Sequence, residues 1–139
     1  MRIVLDTNVI VSALIWRGTP YELVQMAIDG DIELYTSLPL LDELHEVLMR
    51  DHLSSRLGQH HASVDDAVRF YGELAIAVSP LTIPRVVPGD VDDDQVIATA
   101  VAAHADLLVS GDRHLLVLGS HQSIHIVTPG RAARIIAAT

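Results

Sequence analysis

The chain contains no cysteine and no lysine. The first absence removes disulfides, thiolate metal sites and cysteine nucleophiles together. The second removes Schiff-base chemistry, a P-loop and the phosphate-sensing lysine of a receiver domain. Aromatic residues are scarce, 4% of the chain with a single Trp, and Trp16 with the tyrosines forms no evident platform on which bases would stack. No apolar run approaches the ~20 residues of a bilayer span. The N-terminus has no signal-peptide architecture, so no membrane association is expected and a cytoplasmic protein is the default.

What is present is apolar: half of the 139 residues are hydrophobic, with a mean hydropathy of +0.35. A chain of that size supports one core, and with no repeat, low-complexity tract or linker, residues 1–139 read as a single domain. Nine arginines against eighteen acids give a net charge of −9. That balance argues against a protein that coats nucleic acid with a basic face. It leaves room for an enzyme that concentrates its acids in one place.

Short apolar runs alternate with helical patterns. Strands are expected at Arg2 to Leu5, Ile32 to Thr36, Leu107 to Ser110 and Ile124 to Thr128, with an edge strand or none between Ser79 and Gly89. Helices are expected over Asn8 to Ile15, from a Thr19-Pro20 start to Ile28, from Ser37 and Pro39 to Arg50, Val64 to Ile76, Asp92 to His104, Arg113 to Leu118, and Pro129 to Ala138. Ser63 with Asp66, and Asp92 with Gln95, resemble capping boxes. Asp51 to His61 is polar and reads as a loop or frayed turn. The alternation predicts an α/β fold, a parallel sheet covered by helices on both faces. Ligand sites in such folds lie beyond the carboxyl ends of the strands.

Acids gather where that rule points. Asp6 follows the first strand and Asp112 follows the Leu107 to Ser110 strand; if the two strands are neighbours, their carboxylates converge. At ~100° per residue, Asp42 and Glu46 point away from the apolar stripe of Leu40, Leu44, Val47 and Leu48, while Glu43 lies on its flank. On the next acidic helix Val96, Ile97, Ala100 and Val101 form the buried face, with Asp94 at its edge. Asp90, Asp92, Asp93 and Asp94 crowd four charges into five positions. Unit charges ~4 Å apart repel by roughly 4 kcal/mol at an effective dielectric near 20, more than a helix dipole offsets.

Each acid taken singly has an ordinary explanation. Asp92 is explained as an N-cap, Asp93 equally by first-turn solvation or by support of a site, Glu43 as a surface helix residue and Asp112 as a turn aspartate. The conjunction of Asp6, Glu43, Asp94 and Asp112 at two strand ends and two helix flanks is what points to a site. Hard carboxylate oxygens suit Mg²⁺ or Mn²⁺, and ions so held activate water for attack on a phosphodiester. Ser110 and Thr7 are placed either to orient a site water or to cap the backbone. Arg17 and Arg113 are candidates for phosphates or for surface ion pairs; His60 and His61 sit in a polar loop, and His121 with His125 has i,i+4 spacing outside any helix, so neither pair is expected to be functional. Gly111, Gly18 and Gly30 form no phosphate cradle.

The runs Met-Arg-Ile-Val-Leu-Asp-Thr-Asn, Leu-Leu-Asp-Glu-Leu, Asp-Val-Asp-Asp-Asp-Gln-Val-Ile-Ala-Thr-Ala and Leu-Leu-Val-Ser-Gly-Asp, in this order, resemble the PIN domain, closest to the prokaryotic VapC-like toxin ribonucleases. The resemblance implies a three-layer α/β/α sandwich with sheet order 3-2-1-4-5. It implies Mg²⁺ or Mn²⁺ held by Asp6, Glu43, Asp94 and Asp112, and hydrolysis of RNA. It also implies a homodimer and a small antitoxin partner. Asn8 matches a small polar position near the metal, with Asp93 and Ser110 as further helpers. The competing reading is a non-catalytic module that uses the same scaffold to hold RNA or a protein.

Overall fold

The structure, a computed structural model, describes residues 1–81 and 91–139, with residues 91 and 92 described in their backbone only. Strand β1 (Arg2–Leu5) leads into α1 (Thr7–Ile15) and α2 (Gly18–Ile28). Then follow β2 (Glu33–Thr36), α3 (Leu38–Leu48), α4 (Asp51–Gln59), α5 (Val64–Leu74) and β3 (Ile76–Ala77). The second half comprises α6 (Val91–Ala102), β4 (Leu107–Val109), α7 (Arg113–Leu118), β5 (Ser120–His121), β6 (Ile124–Val127) and α8 (Pro129–Ala137).

The sheet runs β3-β2-β1-β4-β6-β5. The first five are mutually parallel, in the predicted 3-2-1-4-5 order, and β5 adds a short antiparallel edge against β6. Side chains alternate across each strand. Ile3 and Leu5 therefore enter a core shared with Val9, Ile10, Leu23, Leu44 and Tyr71 on one face. Val4 and Leu108 enter the other, with Val96, Ile97, Ala100 and Leu115. Those two cores, one on each side of the sheet, make the fold three layers deep.

Several local expectations change. Asp51 to His61 is mostly helix, not loop: Leu53 and Leu57, one turn apart, are buried while the rest of α4 is largely exposed. Two apolar residues in nine are too few for a periodic signal, and packing against α1 and α3 holds the helix. The helix after Ser63 ends at Leu74, because Ala75 turns extended and Ile76 and Ala77 pair with Tyr35 and Thr36. The edge strand therefore precedes Ser79, and the part of its expected span over residues 82–89 lies outside the described residues.

Helix starts shift as well. Thr19 is not an N-cap, since α2 already begins at Gly18, with Arg17 before it at φ +64° and no side-chain cap. Pro20 is tolerated there because first-turn N–H groups have no intrahelical partner. Asp92 lies inside α6, which begins at Val91, so it is not the N-cap; its side chain lies outside the described residues, as does Asp90. Ser63 does cap α5, accepting from the Asp66 N–H at 3.0 Å.

Candidate active site

The carboxyl ends of β1 and β4 lie side by side, with Leu5 paired to Val109. Each strand passes quickly into a helix, which makes Asp6 and Asp112 N-caps. Asp6 Oδ1 accepts from the Thr7 N–H at 2.8 Å, and Asp112 Oδ1 from the His114 N–H at 2.7 Å. A negative group at such a position gains about 0.3–1 kcal/mol from the helix dipole. Both acids therefore have a structural role.

Their linkage goes further than capping requires. The fully buried Ser110 hydroxyl donates to Asp6 Oδ2 at 2.7 Å and accepts from the Asp112 N–H at 2.9 Å. On the other side Thr7 Oγ1 donates to Glu43 Oε2 at 3.0 Å. A continuous line, Glu43–Thr7–Asp6–Ser110–Asp112, thus crosses from α3 over β1 to β4. With donors on both oxygens, Asp6 is held as an acceptor, as the ionised form requires. Glu43 is half-buried while Asp42 and Glu46 are exposed, in agreement with the helical phase read from sequence.

Helix α6 brings the remaining acids. Asp93 and Asp94 are both buried. α6 is enclosed more widely than its apolar spacing suggests, because it packs on β1, β2, β4 and α3; Asp94 is fully buried within it, not at an edge. An oxygen of Asp93, an oxygen of Asp112 and a ring nitrogen of His114 all lie within 4.8 Å of one another. Ligands of one small divalent ion sit ~2.1 Å from it and hence at most ~4.2 Å apart. Small side-chain adjustments bring this trio into that range, and a donor set of hard carboxylates with one imidazole and no thiolate fits a divalent cation. Asp94 is turned about 100° around the helix from Asp93.

Asn8 is exposed at the second position of α1. His114 was not among the sequence candidates; its spacing of two residues from Asp112 at a helix start is the one sequence signal that marks it. His60, His61, His121 and His125 join no such cluster among the described residues. Helix α3 is tied to α6 above the site by Ser37 Oγ and Thr99 Oγ1, 2.8 Å apart and both fully buried. Thr99 donates its proton to the Gln95 carbonyl at 2.9 Å, so Ser37 is the donor of the pair. That contact replaces the side-chain cap expected of Ser37.

The parallel sheet with carboxylates gathered over the ends of β1 and β4 defines an α/β domain with an acidic site at its sheet edge. Residues 2–114 match the PIN domain, and the chain belongs to that family. A protein of Methanocaldococcus jannaschii described as uncharacterized is 27% identical over 136 residues, which cover 93% of this chain and 86% of that protein. PIN domains are generally nucleases and usually use divalent metals. No helix among the described residues is long and apolar enough to cross a membrane.

Proposed function

We propose that this chain is a metal-dependent ribonuclease of the VapC-like toxin type. The observation that carries the reading is the buried hydrogen-bonded line joining Asp6, Ser110 and Asp112 over the sheet edge. The proposed holders of Mg²⁺ or Mn²⁺ are Asp6, Glu43, Asp94 and Asp112, with Asp93 and His114 beside Asp112. A divalent cation there supplies Lewis acidity, lowering the pKa of a water and offsetting charge on the departing oxygen of a phosphodiester.

The chain's own part is positioning. Thr7 and Ser110 donate their protons to Glu43 and Asp6 and so hold the two carboxylates in fixed orientations. His114, 3.8 Å from Asp112 through Nδ1, stands at the exposed rim, where its ring can reach a substrate phosphate. No protein nucleophile is needed, so hydrolysis adds water across the P–O bond directly. An RNA substrate, a homodimer and a small antitoxin follow from the same resemblance, and an acidic surface favours a basic partner segment. A cysteine-free chain also fits the reducing cytoplasm.

The test is cleavage of total RNA in manganese buffer with end mapping, wild type beside Asp6→Asn. Loss of cleavage in a variant that still folds, checked by circular dichroism, is expected; the substitution relieves charge repulsion but turns an amide NH2 toward one of the two donors that face Asp6. Unchanged cleavage by Asp6→Asn would overturn the assignment and return the chain to the reading of a binding module.

A further inference from the structure

At the far end of α1 from the carboxylates, a cavity of about 370 Å³ opens between α1, α2 and α4. Its floor is apolar, with Leu14, Leu57 and Ala62, and its polar lining is Arg17, Arg56 and His60. Among the described residues no carboxylate lines it, in a chain whose net charge is −9. Each arginine is already laid over a ring: Arg56 on Trp16 with 4.2 Å to the centroid, and Arg17 on Tyr21 with 4.8 Å. Among the described residues neither makes an ion pair. The scarcity of aromatics pointed away from any stacking surface; the structure instead assembles one from an aromatic ring under each guanidinium.

Arg17 is held in a backbone conformation, φ +64° and ψ −125°, that residues with a Cβ rarely adopt. Glycine would sit there without strain, and strained positions persist mainly where the side chain serves a site. The N-terminus of α2 opens at this same residue without a side-chain cap, adding the positive end of a helix to the two guanidiniums. Planar guanidiniums held flat bind phosphate in two-pronged fashion and present a face on which bases stack. An acidic peptide would use the first property and not the second. The cavity lies at the lower end of the range for small-molecule sites, about 300–1,000 Å³.

We propose that this cavity binds a nucleotide, its phosphate on Arg17 and Arg56 and its base against the open face of a ring-backed guanidinium. The nucleotide is either free or one unit of an RNA strand, and the site stands whether or not the carboxylates cleave RNA. Trp16 is the single tryptophan of the chain and lies under Arg56, which lines the cavity, so its fluorescence reports on the Arg56 wall of this cavity.

The experiment titrates the full chain in EDTA with adenosine monophosphate, a 5′-phosphorylated hexaadenylate, adenosine, inorganic phosphate and hexaglutamate. Saturable change with the monophosphate and the hexamer is expected, with the other three at least about tenfold weaker. Equal affinity for monophosphate and hexamer identifies a free nucleotide, and a tighter hexamer identifies a strand. Arg56→Gln and Arg17→Gly are each expected to weaken binding about ten- to a hundredfold. Arg17→Gly should melt no lower than wild type because it relieves the positive φ. Asp6→Asn should bind as wild type does, which separates this site from the carboxylate centre. No saturable change, equal binding of phosphate or hexaglutamate, or undiminished binding by Arg17→Gly would each overturn the proposal.

Discussion

Ser110 and Asp6 stand 104 positions apart in the chain and 2.7 Å apart in the fold, hydroxyl to carboxylate. One proton therefore orients the acid at the end of β1, while the same oxygen accepts the backbone N–H of the acid beyond β4.

Ser110→Ala removes both contacts without opening a large cavity. Taking a donor from a buried carboxylate oxygen and an acceptor from a backbone N–H costs about 1–3 kcal/mol. Groups that orient metal ligands typically contribute 10–100-fold to affinity or activity. Calorimetric Mn²⁺ titration and RNA cleavage should both fall within that range; wild-type values in both would remove Ser110 from the site.

Divalent cation should stabilise the folded chain by mass action. Mn²⁺ at a hundred times its Kd adds about 2.7 kcal/mol, or roughly 10 °C in melting temperature at about 4 °C per kcal/mol for this size. Asp112→Asn and Asp94→Asn should abolish the shift. If Asp112→Asn keeps the full increment, the cation binds elsewhere.

The Ser37–Thr99 pair can be tested as a cycle. Thr99→Val alone leaves the buried Ser37 donor without its acceptor, at about 1–3 kcal/mol. Ser37→Ala with Thr99→Val should cost less than the two single changes added, because neither polar group is then stranded. Strict additivity in urea denaturation would show that the hydroxyls do not interact in solution.

Tyr71 is fully buried and its hydroxyl has no hydrogen-bond partner among the described residues. Burial pushes its pKa above the ordinary value of 10. The folded state thus keeps the proton while the unfolded chain releases it, and stability present below pH ~10 is lost as pH rises further, by up to about 1.4 kcal/mol per pH unit. Tyr71→Phe should lack this alkaline loss and be neutral to about 1–2 kcal/mol more stable at pH 7. Identical alkaline melting curves for the two proteins would contradict the assignment.

The placement of Asp6 and Asp112 was legible because each stands directly after an apolar strand, and strand ends need no knowledge of packing. Glu43 was legible from helical phase alone, since α3 has a clean apolar stripe. Asp93 against Asp94 was not, because α6 is enclosed by sheet and helix together and one residue of helical phase decides which carboxylate meets Asp112. Helix α4 and the extended turn at Ala75 were hidden for a related reason: both depend on surfaces contributed by distant parts of the chain. The positive φ at Arg17 left no trace in a sequence where glycine follows one position later.

The separation of the acids along the chain has a temporal consequence. Asp6 and Glu43 come from the first third, Asp94 and Asp112 from the last, and contacts so distant form late because their loops must close first. A ribosome that has made the first ninety residues has made only half of the cluster. An RNA-cutting activity assembled this way would remain silent while its own message is being read, and would switch on only in the finished, folded molecule.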